Sequence, residues 1–215
     1  MSRLKLIRGN SDVSSWSMRA WLLLRWLECE FEDVVITLDR DDSLANIMPW
    51  SPSGRVPVLI DGDIKIWDSF AIMLHLADSH PKLWPSEPAK RAYARSISAE
   101  MHSGFTTLRL AMPFDLANQG KPVLLTPPLR ADIARLEAIW IEGLKRFGGP
   151  WLAGEFGIAD ITFAPVAVRF HIYGMRVREP AETYRLALLR HPLVEQWLAE
   201  ANTNVDIENG KKIKK

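Results

Sequence analysis

Ser53–Phe70 reads SGRVPVLIDGDIKIWDSF, and this stretch decides the fold. Val58–Ile60 and Ile64–Trp67 are short β-prone runs, and Asp61-Gly62-Asp63 between them supplies a tight turn, so the stretch predicts a β-hairpin. Pro57 stands at the entrance of the first run, where its missing N–H breaks no ladder and an X-Pro bond makes a cis peptide accessible. Asp68-Ser69 follows the second run and opens an apolar helical run from Phe70 to Leu76. Such side chains cap the orphan N–H groups of a first helical turn, or leave them for a ligand carboxylate. A fixed backbone edge and a polar helix start, joined by one hairpin, predict a small pocket for something peptide-like.

Upstream, Leu4–Ile7 reads as a first strand and Gly9–Ser14 as a polar loop. A helix then runs from Ser15 to near Glu30. Its apolar residues Trp21, Leu22, Leu24, Trp26 and Leu27 are too continuous for one narrow stripe, so it is expected to be covered on more than one side. Val34–Leu38 is the second strand, and a short helical segment over Asp42–Met48 is broken by Pro49 and Pro52. The order β-α-β-α-β-β-α combines a right-handed parallel crossover with an antiparallel edge. It predicts an α/β, thioredoxin-like N-terminal domain over residues 1–80, with a mixed four-stranded sheet.

Residues 81–88 hold three prolines and no periodicity, the mark of a linker. Beyond them β signal nearly vanishes, and an all-helical domain is expected over residues 89–205. Its first helix, Ala89–Leu110, carries Tyr93, Ile97, Met101, Phe105 and Leu108 at three- and four-residue steps. Met112–Pro128 is a connection, and Leu129–Phe147 is a second helix stopped by Gly148-Gly149-Pro150. Gly157–Gly174 is apolar on nearly every side and predicts a central helix, followed by Ala181–Leu189 and Pro192–Ala199. Residues 206–215 read as a loose basic tail.

Bulk composition excludes several classes of function. The chain has 215 residues with 27 Lys+Arg against 26 Asp+Glu, and this balance offers a nucleic acid no electrostatic footing. Hydrophobic residues make up 47% of it, which argues against disorder. The single cysteine, Cys29, excludes an internal disulfide and fits a reducing compartment. It is expected late in the first helix as a buried structural residue, and no CxxC pair exists for disulfide exchange. His75, His80, His102, His171 and His191 show no metal-ligand spacing, so no metal is expected. The N-terminus lacks the apolar run of a signal peptide, and Trp21–Leu27 is too short to span a bilayer. A cytoplasmic protein with no membrane or nucleic-acid partner is the expectation.

Several short stretches, in order and in spacing, resemble the cytosolic glutathione S-transferase family over nearly the whole chain. They are Ser14-Ser15-Trp16-Ser17-Met18-Arg19, Gly54-Arg55-Val56-Pro57-Val58-Leu59 and Asp68-Ser69 with Ala71-Ile72 behind, then Trp151-Leu152-Ala153-Gly154 and Ile158-Ala159-Asp160-Ile161. The first is similar to the zeta, maleylacetoacetate isomerase-like branch, whose pattern is Ser-Ser-Cys-Ser-x-Arg, with Trp16 here in the cysteine's place. Gly157 departs from the family's usual Ser or Thr, while Asp160 remains to close its half of a capping box.

The resemblance implies a transferase that uses glutathione as cosubstrate and no metal. It makes Ser14 the hydroxyl that activates the glutathione sulfur, with Ser15 as the alternative. Ser15 and Trp16 would lie beside the sulfur. Val56, held by a cis Pro57, would pair its backbone with the cysteinyl part, and Asp68 and Ser69 would receive the γ-glutamyl end. Read without the family, Ser14 is an ordinary helix cap and Asp68-Ser69 another. A small hydrophobic electrophile is expected between the domains, against Trp16, Met101, Phe105, Arg109, Met112 and Phe114. Packing within the helical domain, or a solvated Arg109, is the alternative for those residues. Conjugation is the expected reaction. Glutathione-dependent cis–trans isomerisation and non-catalytic glutathione binding on the same fold are the alternatives. A homodimer is expected, with the long helix offering a second apolar face to its symmetry mate.

Overall fold

A computed structural model describes residues 4–208. Pro81–Val194 forms one compact unit, and the remainder of the described chain forms the other.

In the first unit, β1 (Leu4–Gly9), α1 (Ser15–Trp26), β2 (Phe31–Ile36), α2 (Ser43–Ile47), β3 (Val58–Asp61), β4 (Ile64–Trp67) and α3 (Ser69–Ser79) follow one another. The sheet order is β2-β1-β3-β4, with β1 and β2 parallel and β3 antiparallel to both β1 and β4. This is the expected mixed four-stranded sheet. Side chains alternate faces along a strand, and both faces are apolar. Ile7 and Val58 join Ile36 of β2 and Ile47 of α2 in one core cluster, while Leu6 pairs with Leu59 and both are fully buried. On α1, Met18, Ala20, Trp21, Leu22, Leu23 and Leu24 are all 2% exposed or less, which matches a helix covered on more than one side.

That helix ends at Trp26 rather than near Glu30. Glu28 adopts a left-handed φ of 54°, which an α-helix cannot continue, and the chain re-enters the sheet at Phe31, earlier than the β-branched run marks. Cys29 therefore lies in the connecting loop and is half-buried, not a core residue late in the helix. Burial still pushes its thiol pKa upward.

The second unit contains α4 (Pro88–Ser103), α5 (Thr106–Ala111), α6 (Pro127–Phe147), α7 (Ile158–Ile172) and α8 (Ala181–Leu189). The expected long helix over Ala89–Leu110 is two helices. Phe105 turns left-handed at φ 60°, and a Cβ on Gly104 would come within 2.9 Å of the Glu100 carbonyl. Arg109 reaches back across the break, donating to the carbonyls of Gly104 and Met101 and so finishing the end of α4. Ile97, Met101, Phe105 and Leu108 are buried on both sides of the break, so the apolar period runs through it unbroken.

α7 is buried along almost its whole length. Asp160 near its start is fully buried and accepts from the N–H groups of Leu152 (3.1 Å) and Gly157 (3.0 Å) and from the Tyr184 hydroxyl (3.0 Å). Burial, against the opposing pull of these three donors, raises this carboxyl to about 7. Gly157 supplies no side-chain cap, so Asp160 carries the start of the helix.

The last helix, α9 (Pro192–Glu208), runs well past the expected Ala199, and from Glu195 onward it groups with the first unit rather than with the helical one. The edge of the Trp197 ring meets Trp21 with centroids 5.5 Å apart, and its indole N–H donates to the Ser11 carbonyl at 2.9 Å. Residues 206–208 of the expected loose tail continue this helix, and 209–215 lie outside the described residues. Among the described residues no helix is long and apolar enough to cross a membrane, and no cluster of three metal-ligating side chains occurs.

Asp160→Ala should cost about 3–5 kcal/mol, because two backbone N–H groups and a tyrosine hydroxyl lose one shared acceptor in a dry core. Urea unfolding followed by far-ultraviolet circular dichroism measures it, with Asp160→Asn, which keeps one acceptor, falling in between.

Candidate functional site at one end of the sheet

Sheet register brings the site segments together. Val34, Ile7, Val58 and Trp67 form one row across all four strands. One step past that row stand Arg8, still in β1, and Pro57 and Asp68, where β3 and β4 have ended, and the Asp68 N–H reaches the Pro57 carbonyl at 3.4 Å. The Val56–Pro57 bond is cis. Beyond Gly9 the chain turns, closed by Ser14 N–H to the Asn10 carbonyl at 3.1 Å, and enters α1 at Ser15. Thus Ser14-Ser15-Trp16, Val56-Pro57 and Asp68-Ser69, far apart in sequence, are delivered to the same end of one sheet. Gly9 makes the turn fit, since a Cβ there would lie 2.5 Å from Leu38 Cδ1 and 2.8 Å from Ser14 Cβ.

Ser14 occupies the N-cap position of α1, yet its side chain makes no capping hydrogen bond. The buried hydroxyl is instead paired with the Ser17 hydroxyl, donating at 2.8 Å, and Ser17 Oγ also accepts from the Gly9 N–H at 3.0 Å. Ser15 beside it is buried, and Trp16 is half-buried beneath the guanidinium of Arg19, 4.7 Å from its ring centre. Ser17 is a participant that motif reading passed over. Its only sequence signal is the spacing of three from Ser14, which puts both hydroxyls on one side of the first turn.

Val56 is half-buried, and no hydrogen bond among the described residues uses its N–H or carbonyl, so this stretch of backbone is open to a peptide-like ligand. Asp68 caps α3, its Oδ1 accepting from Phe70 N–H (2.8 Å) and Ala71 N–H (3.2 Å). It does so at φ 93°, a conformation L side chains rarely adopt and one that collects at ligand sites. Ser69 is 1% exposed, and its hydroxyl has no partner among the described residues. A buried hydroxyl left unmatched costs about 1–3 kcal/mol, which suits a donor kept for a bound group.

The residues expected around a second substrate are placed differently. Met101, Phe105, Met112 and Phe114 are buried. Arg109 is half-buried and engaged with carbonyls at the end of α4, so it is not a solvated side chain, and burial lowers its pKa. Buried Arg169 donates to the Met112 carbonyl at 3.3 Å and stands 5.5 Å over the Phe114 ring. Burial, and then the charge of Arg109, lower it to about 9. Of the six expected residues, Trp16 and Arg109 retain partly exposed surface.

The family model described as "Glutathione S-transferase, N-terminal domain" matches residues 13–79, and "Glutathione S-transferase, C-terminal domain" matches residues 113–200. Glutathione S-transferase Z2 of Arabidopsis thaliana is 31% identical over 80% of this chain and 80% of its own length. The chain belongs to the glutathione S-transferase family. Glutathione S-transferase T1 of Arabidopsis thaliana is 27% identical over 79% of this chain and 71% of its own length, while of the longer T2 the chain spans 33%. Among solved structures, a glutathione transferase homolog from Burkholderia gl BGR1 with bound glutathione superposes with a TM-score of 0.70 at 22% identity, covering 94% of this chain and 99% of that one. The N-terminal match spans every glutathione S-transferase motif from Ser14 to Ser69, whereas Met101, Phe105, Arg109 and Met112 fall outside both matches.

Ser69→Ala should leave the free protein's stability within about 1 kcal/mol of wild type, or raise it, since it deletes an unmatched hydroxyl. Asp68→Ala, which removes two cap bonds, should cost about 1–2 kcal/mol. Thermal melts of both variants check the contrast.

Proposed function

We propose that this chain is a glutathione transferase in which the Ser14 hydroxyl keeps the glutathione sulfur ionised for attack on a small hydrophobic electrophile. One observation carries the reading: a serine at a helix N-cap whose hydroxyl caps nothing. An ordinary cap spends its oxygen on the N–H of the second or third helical residue. Ser14 instead pairs with a second hydroxyl that is anchored by the Gly9 N–H. The Ser14 proton that goes to Ser17 in the free protein would turn to a bound thiolate, with the Ser17 oxygen still held by the Gly9 N–H beside it.

Lowering a thiol pKa by about two requires about 2.7 kcal/mol of preference for the thiolate. The start of α1 contributes about 0.3–1 kcal/mol to an anion, and the hydroxyl supplies most of the rest. Val56 would pair its backbone with the cysteinyl part of glutathione beside Pro57. Asp68 would face the γ-glutamyl ammonium and Ser69 its carboxylate, with Ser15 and Trp16 flanking the sulfur. In conjugation the sulfur lone pair forms a bond to an electrophilic carbon, whose leaving group departs or whose π electrons take up a proton. The thiol's own proton goes to solvent.

A second reading, isomerisation, draws on relatives named probable maleylacetoacetate isomerase in Caenorhabditis elegans and maleylacetoacetate isomerase in Rattus norvegicus, 28% and 29% identical. There the thiolate adds to a cis-enone, the adduct rotates about the resulting single bond, and the thiolate is expelled again.

Immobilised glutathione should retain the protein, and a panel of electrophiles including cis-enones should be consumed in a thiol-dependent way. Retention without turnover would leave a binding protein. Ser14→Ala should keep glutathione affinity and raise the bound thiol's apparent pKa by about one to two. It should slow turnover at pH 7 roughly ten- to a hundredfold, read by ultraviolet titration of the thiolate with Ser15→Ala alongside. A larger effect at Ser15 would move the role one residue along.

The proposed homodimer draws on a different surface from the one the long helix promised. The outward residues of α4, including Ala92, Arg95, Ser96 and Ala99, are small or polar. In the first unit Ile64, Trp67 and Leu74 are large apolar residues left 45–55% exposed on β4 and α3. Sedimentation equilibrium should return a mass near twice 24.4 kDa, and Trp67→Glu should shift it toward the monomer.

A further inference from the structure

The turn that delivers Ser14 is held from both sides. On one side Asn10 is tied down, its Oδ1 accepting from the Leu38 N–H at 2.9 Å and its Nδ2 donating to Asp12 at 2.7 Å. On the other side the fixed point is Ser11, which is fully buried. Its carbonyl accepts from the Trp197 indole at 2.9 Å and its hydroxyl donates to Glu200 Oε1 at 2.7 Å. Both partners are on α9, almost the whole chain away in sequence. The Ser11 hydroxyl also accepts from Arg8 Nη1 at 3.0 Å. Arg8 Nη2 donates to the same Glu200 oxygen at 2.6 Å, while Nε and Nη2 grip Asp33 at 2.7 and 3.0 Å. The Arg8 guanidinium lies 5.2 Å over the Trp197 ring. These are charge-assisted bonds around a nearly buried cation, so their lengths and angles are tightly set.

We propose that Glu200 and Trp197 are positioning residues for thiol activation: through Ser11 they fix the turn that places the Ser14 hydroxyl against the glutathione sulfur. This rests on the serine-activation reading above. Ser11 stands three residues before Ser14, within a turn closed by the Ser14 N–H on the Asn10 carbonyl. A donor stabilises an anion only at hydrogen-bond distance, so a turn released on one side loosens the donor more than it loosens the peptide grip. Val56 precedes β3, and Asp68 and Ser69 open α3; Asp68 is held by the Phe70 and Ala71 N–H groups and by the Pro57 carbonyl, so the peptide grip is built from other segments than the Ser11 anchor.

The test uses the full chain with Glu200→Ala, Glu200→Gln and Trp197→Phe, beside Ser14→Ala and Ser15→Ala. Glu200→Ala should raise the apparent pKa of the bound thiol by about 0.5–1 and lower kcat at pH 7 about three- to tenfold. The KM for glutathione should stay within about twofold. Glu200→Gln, which still accepts from Ser11 and Arg8, should return the titration to wild type. Trp197→Phe keeps the ring and loses the N–H, and should give a smaller shift of the same sign. If Glu200→Ala does not fold, Trp197→Phe carries the test.

A merely structural role would lower the melting temperature and leave the thiol titration unmoved at 15–20 °C, and that result overturns the proposal. If a serine variant shifts the titration and the folded α9 variants do not, positioning alone fails. If neither serine variant shifts it, the activation reading fails and the positioning proposal fails with it.

Discussion

The register of β1 against β3 is the constraint on which the rest of this molecule depends. Ile7 opposite Val58, with Val34 and Trp67 completing the row, fixes which residues leave the sheet together at one end. A slip of one residue would turn Ile7 and Val58 away from Ile36 and Ile47 and expose the whole cluster to the other face. The same slip would carry Val56, Pro57 and Asp68 together away from their present place beside Ser14. The core and the site are therefore specified by the same pairings, and the apolar energy that sets the register also sets the geometry of the polar end.

Buried polar groups in this chain divide into two kinds. Arg8, Ser11 and Asp160 have partners on several sides, and each joins segments remote in sequence. Among the described residues the Ser69 hydroxyl has none, as is true of the Ser98 hydroxyl and the Trp21 and Trp140 indole N–H groups, and Val56 offers backbone groups that no other described residue uses. The first kind stabilises the fold, because desolvation is offset by several bonds in low dielectric. The second kind costs stability in the free protein, and at Ser69 it falls among the converging segments at the end of the sheet. Asp68, strained at φ 93° yet capping α3, stands between the two.

Much of this was legible in the sequence, for identifiable reasons. The hairpin announced itself through two β-prone runs around Asp-Gly-Asp. The helix starts at Ser15 and Ser69 showed as polar residues ahead of apolar runs, and the site segments followed from them. Hydrophobic period reports burial and says nothing of φ, so the break at Gly104-Phe105 was invisible within an unbroken apolar stripe. The end of α1 was missed likewise, because Glu28 in a left-handed turn has no signature that distinguishes it from a helical glutamate. The docking of α9 on the first unit depends on Arg8, Ser11, Trp197 and Glu200 meeting in space. No local pattern encodes such a meeting. The pairing of Ser14 with Ser17 was within reach through spacing alone, but needed the Gly9 N–H to give it direction.

Gly9 carries a consequence for how such a protein changes over generations. Even alanine there would drive its methyl into the β-carbon of Ser14, an atom with no torsion of its own by which to swing aside. The position is thus closed to every other letter of the alphabet, while the exposed face of α4, with Ala92, Arg95, Ser96 and Ala99, sits where drift costs little. The exposed face of α4 can be rewritten freely, whereas one hydrogen atom at the end of the first strand cannot be exchanged for carbon.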